Sequence, residues 1–267
     1  MITVTKKFLI LIGLLLAVPA SHAAVQGKEV TYSAGGTTLK GYIAYDDALQ
    51  GARPGILVVH EWWGHNEYAR KRARMFAEQG YTALALDMYG DGKQAHHPEE
   101  AGKFATEVNQ NSVLTQARFD AALDLLKHEK TVDATNIAAV GYCFGGSVVL
   151  NMARIGVPLK AVASFHGGLN TQHQAEPGRV KARIISFTGE DDPMIPATQV
   201  AAFRKEMDKV GANYKVVTYP GAKHAFTNPE ADEYGRKFKL PLAYNAAADK
   251  ASWKEALAFL NDAFKEK

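Results

Sequence analysis

The sequence of 267 residues has only one cysteine, Cys143, so no disulfide can form within the chain. It also lacks a strong charge of one sign, since 31 Lys and Arg residues stand against 28 Asp and Glu residues. Lys6 and Lys7 lie in the first 23 residues, and without them the balance is 29 to 28, a net charge of +1. This balance gives no indication of binding to nucleic acid or to a membrane surface.

The sequence has one long apolar run, residues 8–18, and no second run of that kind. Lys6 and Lys7 precede the run, and Ser21-His22-Ala23 has the small-residue pattern of a cleavage site. This arrangement is typical of a secretory signal peptide rather than a membrane span, for which the run is short. We therefore expect residues 1–23 to be removed after Ala23, and the protein to be periplasmic or secreted and free of the membrane. In such an oxidising compartment a lone thiol is a candidate reactive site.

Patterns of buried strands and amphipathic helices alternate along residues 24–267, which we expect to form a single domain. Residues 29–34 and 37–45 alternate in polarity around Gly35-Gly36, as in a β-hairpin. Later apolar runs such as 56–59 predict buried strands, each followed by a helix. These features predict an α/β fold with a mostly parallel central sheet and helices on both faces. Residues 227–244 are predicted to form a long connection.

The segment Gly141-Tyr142-Cys143-Phe144-Gly145-Gly146 has the pattern of a nucleophile elbow, with cysteine in place of serine. The apolar run 136–140 suits a buried strand, and residues 147–154 have apolar positions at helical spacing. We expect the turn between them to expose the sulfur, with glycines where side chains would collide. The helix N-terminus would offer the N–H of Phe144 to an oxyanion. Taken alone, the pattern also fits a buried structural cysteine.

Asp192 and His224 also follow predicted strands, and with Cys143 they give the order nucleophile, acid, base found in α/β hydrolases. His224 can take the thiol proton because imidazole titrates near neutral pH. Asp192 would hold the tautomer of His224 and stabilise the imidazolium. Asp191 is a neighbouring candidate, and separately these residues could be a turn former and a surface histidine. Three matches in the right order favour a catalytic triad.

Three segments, 141–146, 189–196 and 221–226, resemble the dienelactone hydrolase family, and the similarity spans nearly all of residues 24–267. The resemblance implies an α/β-hydrolase fold and cleavage of ester or lactone bonds by a triad of Cys143, His224 and Asp192. His60-Glu61-Trp62-Trp63-Gly64 resembles the oxyanion loop of that family, which implies an oxyanion hole made by the N–H groups of Trp62 and Phe144. Glu61 matches a glutamate that contacts the resting thiol, which implies a thiol-gating role.

The sequence departs from that family at two arginines that bind a substrate carboxylate. Asp91 and Asn228 occupy their positions, and neither side chain can reproduce bidentate binding by a guanidinium. We therefore expect a substrate other than a dienelactone. Trp63, Tyr89 and Tyr244 are further candidates for the substrate pocket, with Asp91 and Asn228.

These observations predict an exported hydrolase of small carboxylic esters or lactones, without a cofactor, acting as a monomer or small homo-oligomer. No metal site is predicted, because His60 and His65 are five residues apart instead of the four that a zinc-protease helix needs. One alternative is a thiol peroxidase that uses Cys143, although a second, resolving cysteine is missing. Another alternative is a catalytically silent binding protein on the same fold.

Overall fold

A computed structural model of the protein describes residues 25–266. The predicted signal peptide, residues 1–23, lies outside this range and stays a prediction. Within the range, no helix has the length and apolar character needed to cross a membrane.

Strands and helices alternate from one end of the described chain to the other. The strands are β1 (Val25–Ala34), β2 (Thr37–Asp46), β3 (Arg53–Val59), β4 (Thr82–Leu86), β5 (Val132–Tyr142), β6 (Ala161–Phe165), β7 (Arg183–Gly189) and β8 (Tyr214–Tyr219). The helices are α1 (Glu67–Ala77), α2 (Pro98–Asn109), α3 (Ser112–Lys127), α4 (Phe144–Arg154), α5 (Ala197–Val210), α6 (Ala231–Phe238) and α7 (Ala246–Lys265).

The strands form one sheet in the order β1-β2-β4-β3-β5-β6-β7-β8. The predicted hairpin, β1 with β2, is antiparallel, and β2 also pairs antiparallel with β4, whereas strands β3 to β8 pair in parallel. The predicted mostly parallel sheet is therefore confirmed. Because parallel strands end at the same edge, the loops after β3, β5, β6, β7 and β8 lie together.

Helices cover both faces of the sheet, and each face has its own apolar core. Leu57 and Val59 of β3 pack with side chains of α3, α4 and α5. Ile56 and Val58 point the other way and pack with side chains of α1 and α7. A strand buried on both faces is apolar along its whole length, which is why 56–59 reads as a continuous run.

Two boundaries differ from the sequence prediction. Helix α4 begins at Phe144, directly after the elbow cysteine, and not at Ser147. The predicted long connection 227–244 contains a helix, α6, that was not expected. Acidic residues in the first turn of α6 and basic residues in its last turn favour the helix through the macrodipole. The short length of α6, eight residues, hides its pattern within a polar segment.

Candidate active site

Cys143 is the single residue between β5 and α4, and its backbone adopts a conformation that side chains disfavour. Its φ is 51° and its ψ is −115°, a conformation that costs on the order of 1–3 kcal/mol unless its surroundings hold it. Two acceptors hold it here, since its N–H lies 2.9 Å from the carbonyl oxygen of Phe165 and 3.1 Å from Nδ1 of His166. The turn is thus fixed by the end of β6.

The glycines of the elbow allow the strand and the helix to approach closely. A Cβ on Gly141 would lie 2.0 Å from the carbonyl oxygen of Gly145, and a Cβ on Gly145 would lie 2.3 Å from that of Val59. Neither distance is possible for real atoms, and in both cases the obstacle is backbone. The expectation that side chains would collide at these positions is confirmed.

The three predicted catalytic side chains meet at the carboxyl edge of the sheet. Nε2 of His224 lies 3.0 Å from Sγ of Cys143, and its Nδ1 lies 2.8 Å from Oδ2 of Asp192. The other carboxylate oxygen of Asp192 accepts the N–H of Met194 at 2.8 Å, which fixes the carboxylate. Asp192 is buried, whereas the alternative acid, Asp191, is exposed. The geometry therefore selects Asp192 as the partner of His224.

The electrostatics of His224 favour its protonated form. Burial lowers the pKa of His224, but the negative charge of Cys143 and the hydrogen bonds to Asp192 and Cys143 oppose burial and raise the pKa to about 10. Since Asp192 accepts the Nδ1 proton, Nε2 is the nitrogen that exchanges a proton with the sulfur. The arrangement can hold a proton on His224 and later deliver it to a leaving group.

The peptide group between Glu61 and Trp62 carries one of the two predicted oxyanion-hole N–H groups, and His60 holds its plane. Nε2 of His60 accepts the N–H of Met88 at 3.2 Å, so the proton of the neutral ring is on Nδ1. Nδ1 donates to the carbonyl oxygen of Glu61 at 2.6 Å. Burial lowers the pKa of His60, which keeps the ring neutral. The second predicted N–H belongs to Phe144, where α4 begins and provides no acceptor of its own.

Glu61 is buried beside this loop, and its hydrogen-bond partner is Asn228. Nδ2 of Asn228 donates to Oε2 of Glu61 at 2.6 Å, while Oε1 is buried without a hydrogen-bond partner in the described part of the chain. Burial raises the pKa of Glu61 to about 7. Glu61 and Cys143 border the same cavity, but the hydrogen bond of the thiol is with His224. The thiol-gating role of Glu61 therefore stays a prediction.

The cavity above the sulfur has a volume of about 250 Å³ and is mostly apolar. It is lined by Glu61, Trp62, Trp63, Cys143, Met194, His224, Ala225, Leu240, Pro241 and Leu242. No lysine or arginine is among these lining residues of the described chain. The cavity can therefore take a small apolar group, and its one positively charged lining side chain, His224, is already paired with Cys143 and Asp192.

The segment after α6 forms one wall of the cavity and is attached to the loop that contains His224. The N–H of Ala243 donates to the carbonyl oxygen of His224 at 3.1 Å, and that of Asn245 donates to the carbonyl oxygen of Phe226 at 3.0 Å. These backbone bonds place Leu240, Pro241 and Leu242 against the cavity. Sequence reasoning missed this wall, although a short apolar run inside a polar connection was a usable signal.

Of the five residues predicted for the substrate pocket, Trp63 lines the cavity and the other four do not. Tyr89 lies behind the loop, where its hydroxyl donates to the carbonyl oxygen of Trp62 at 3.0 Å. Asn228 lies behind Glu61. Asp91 is exposed in a turn with φ 56°, and the hydroxyl of Tyr244 is bound to Asp249. The pocket prediction is therefore wrong for all four residues, because hydrogen bonds or local turn geometry hold their side chains away from the cavity lining.

The comparisons with known proteins agree with this geometry. The sequence model of the dienelactone hydrolase family matches residues 39–264. The protein usf of Aquifex pyrophilus is 27% identical over 241 residues, which cover 88% of this chain and 98% of that protein. A solved dienelactone hydrolase-like promiscuous phosphotriesterase from metagenomic libraries is 32% identical, with a TM-score of 0.82, covering 90% of this chain and 99% of that one.

A second solved structure, named m3DLH, is 33% identical with a TM-score of 0.84, and it covers 90% of this chain and 99% of its own. The chain belongs to the dienelactone hydrolase family, which comprises hydrolases of ester and lactone bonds on the α/β-hydrolase fold.

Proposed function

We propose that this protein hydrolyses small, uncharged carboxylic esters or lactones through a covalent intermediate on Cys143. The observation that carries the proposal is the line of atoms from Sγ of Cys143 through His224 to Asp192, with separations of 3.0 and 2.8 Å. This line ends at an apolar cavity, which gives the sulfur access to a substrate. The triad, the substrate class and the absence of a cofactor are all parts of the proposal.

In the first half of the reaction, Sγ of Cys143 attacks the carbonyl carbon of the ester and a C–S bond forms. The carbonyl π electrons move to oxygen, and the N–H groups of Trp62 and Phe144 stabilise the resulting negative charge. The tetrahedral intermediate then collapses and the C–O bond to the alcohol breaks. His224, which holds the former thiol proton on Nε2, donates it to the leaving oxygen. A lactone stays attached as a ring-opened thioester.

In the second half, water takes the place of the alcohol. Nε2 of His224 accepts a proton from the water as its oxygen attacks the thioester carbon. The C–S bond breaks and the carboxylic acid leaves. Cys143 is then again a thiolate beside the imidazolium of His224. Asp192 accepts the Nδ1 proton throughout and so keeps Nε2 directed at the sulfur. Every proton and electron pair is accounted for by this chain and water, so the proposal needs no cofactor.

The substrate class follows from the size and charge of the cavity. A volume of about 250 Å³ suits a small acyl group or lactone ring. A free carboxylate in it would face buried Glu61 and find no lysine or arginine among the lining residues, while the imidazolium of His224 is already paired with Cys143 and Asp192. Burying an unpaired charge is strongly unfavourable. Uncharged substrates are therefore favoured over the carboxylate-bearing lactones that give the family its name.

Uncharged phosphotriesters are a second candidate substrate class. They also lack a negative charge, so the same cavity, which has no lysine or arginine in its lining, favours them on the same physical ground. The similar protein with a TM-score of 0.82 is named a promiscuous phosphotriesterase. A neutral p-nitrophenyl phosphotriester in the substrate panel tests this candidate directly.

The test compares the wild type with Cys143→Ala on p-nitrophenyl esters of increasing acyl length. We expect the substitution to lower kcat/KM by at least about a thousandfold, as for other nucleophiles of triads. The melting temperature should stay close to the wild-type value, because the sulfur is partly exposed. A mass increase equal to the acyl group, present in wild type and absent in the variant, would identify the thioester.

The outcomes separate the proposal from its alternatives. Turnover by Cys143→Ala at the wild-type rate would refute the cysteine nucleophile. Binding of the esters without turnover by the wild type would indicate a silent binding protein, and thiol-dependent consumption of hydrogen peroxide would indicate a peroxidase. Export is likewise a proposal, supported by the pattern of residues 1–23. Cell fractionation is expected to recover the protein outside the cytoplasm. Its intact mass should correspond to a chain that begins at Ala24.

A further inference from the structure

A chain of buried polar side chains lies behind the triad and takes no part in the reaction described above. Nε2 of His166 lies 2.7 Å from the hydroxyl of Thr227, which lies 2.7 Å from the hydroxyl of Tyr68. Nε of Arg72 donates to Tyr68 at 3.1 Å, and Nη2 of Arg72 donates to Asp249 at 2.7 Å. These hydrogen bonds run from the end of β6 through the loop after His224 to helices α1 and α7.

The hydrogen bonds of His166 determine its tautomer. Nδ1 accepts the backbone N–H of Cys143 at 3.1 Å, so this nitrogen carries no proton. The proton of the neutral ring is therefore on Nε2, which donates to the hydroxyl of Thr227. One imidazole ring thus contacts the backbone of the nucleophile on one side and the loop of the catalytic base on the other.

His166 remains neutral because its surroundings disfavour a charge. It is fully buried, and burial lowers its pKa well below the usual range, with His224 and Arg72 adding positive charge nearby. Its ring lies 5.4 Å from that of His224 and 5.2 Å from that of Phe226. A ring that does not titrate keeps the same donor and acceptor at every working pH.

The far end of the chain is a rigid anchor. Arg72 is buried on α1, where it also donates to the carbonyl oxygen of Thr227 at 2.5 Å. Its guanidinium lies 5.2, 5.1 and 5.7 Å from the ring centres of Tyr68, Tyr142 and Trp253. Packed between aromatic rings and paired with Asp249, this side chain cannot shift without breaking several contacts. Thr227 is therefore fixed to the body of the protein through both its backbone and its hydroxyl.

We propose that His166 and Thr227 are positioning residues that set the separation between Cys143 and His224. Thr227 follows His224 by three residues, so a shift of its hydroxyl is transmitted to the imidazole of the base. The N–H of Cys143 keeps a second acceptor in Phe165, so loss of the His166 contact should misalign the elbow without unfolding it. A misplacement of about 1 Å costs on the order of a hundredfold in rate. The inference rests on the proposed function, in which the sulfur and His224 exchange a proton.

The first test compares Thr227→Val with Thr227→Ser. Valine keeps the shape of threonine and removes the hydroxyl, whereas serine keeps the hydroxyl. We expect Thr227→Val to lower kcat by about ten- to a hundredfold with little change in KM, since substrate binding does not involve this residue. Thr227→Ser should recover most of the loss. The matched control is Thr188→Val, which removes a buried hydroxyl that has no hydrogen-bond partner in the described chain; its kcat should equal that of the wild type.

A second readout is independent of the substrate. The rate of alkylation of Cys143 by iodoacetamide, measured against pH, has a midpoint set by the contact between sulfur and His224. We expect this midpoint to move to higher pH in Thr227→Val, because a longer contact stabilises the thiolate less. A role confined to folding would lower the melting temperature of the variant and leave the midpoint unchanged. Wild-type kcat and midpoint in folded Thr227→Val would overturn the inference.

A third variant covers the case in which Thr227→Val does not fold. His166→Asn keeps an acceptor near the N–H of Cys143, and asparagine tolerates the φ of 41° at this position. It is too short to reach Thr227, so it should reproduce the loss in kcat and the shift of the midpoint. Both properties at wild-type values would overturn the inference. A shifted midpoint in a protein whose wild type hydrolyses no ester would support the positioning role and refute the proposed function instead.

Discussion

Glu61 leads to a specific prediction about stability and pH. Its carboxyl is buried, with one oxygen bound to Asn228 and the other unpaired among the described residues. Burial raises the pKa from 4.5 to about 7. Each unit of difference between the folded and unfolded pKa is worth about 1.36 kcal/mol, so the difference amounts to roughly 3 kcal/mol. Replacing Glu61 with Gln removes this titration and keeps an oxygen that can accept the N–H of Asn228.

The sign follows from which state binds the proton. Between the unfolded pKa of 4.5 and the folded pKa of about 7, the folded protein holds the proton and the unfolded chain has released it. The stability contributed by neutral Glu61 is therefore fully present below 4.5 and is lost as the pH rises through about 7. Glu61→Gln keeps its stability over this pH range, because the glutamine side chain does not titrate. Relative to the wild type, the variant should thus gain roughly 3 kcal/mol between about pH 4 and about pH 8.5.

Urea denaturation of both proteins at a series of pH values measures this difference. The other titrating groups, including His224, are common to the two proteins and largely cancel in the comparison. Glu233→Gln, which changes an exposed carboxylate on α6, provides the baseline. A difference in unfolding free energy between wild type and Glu61→Gln that is the same at every pH would show that burial does not hold the proton on Glu61, and the reasoning would fail.

The remaining predictions concern reactivity and selectivity. If Glu61 gates the thiol, Glu61→Ala should make iodoacetamide label Cys143 faster near neutral pH and should lower ester turnover; unchanged or slower labelling of the folded variant would rule this out. Neutral esters should be cleaved at least about tenfold better, in kcat/KM, than matched esters with a free carboxylate, a difference of about 1.4 kcal/mol. Asn228→Arg should narrow that gap, because residue 228 contacts Glu61 in the cavity lining. Asp91→Arg should leave the gap unchanged, because Asp91 is exposed away from the cavity. A wild-type preference for the anionic esters would contradict the argument from charge.

The features that sequence reasoning predicted are those with a local signature. The elbow around Cys143 can be predicted because its glycines lie within one short segment, where the backbones of the strand and the helix approach each other. Asp192 and His224 were visible because each follows a strand. The contact between Glu61 and Asn228 joins positions 167 residues apart, and nothing in either neighbourhood specifies it.

The role of His166 also cannot be predicted from its neighbours in the sequence. His166 directly follows β6, but its two hydrogen bonds depend on how the ends of β5 and β6 and the loop after β8 are arranged. Such partners are chosen by tertiary packing and not by the residues beside them in the chain. The cavity wall at 240–242 was missed for the same reason, since two backbone hydrogen bonds to the loop after His224 place it there.

That wall has a consequence for how the protein can diversify. Because the N–H groups of Ala243 and Asn245 donate to the carbonyl oxygens of His224 and Phe226, this wall of the cavity is linked directly to the loop of the proposed base, His224. A substitution that enlarges the cavity from this side would also displace the imidazole, so each gain in substrate range would carry a loss of rate. Met194 borders the cavity from the opposite loop and is half exposed. In directed evolution towards bulkier esters, the first substitutions should therefore appear at Met194. Substitutions at Leu242 should follow only after other substitutions have fixed the position of His224.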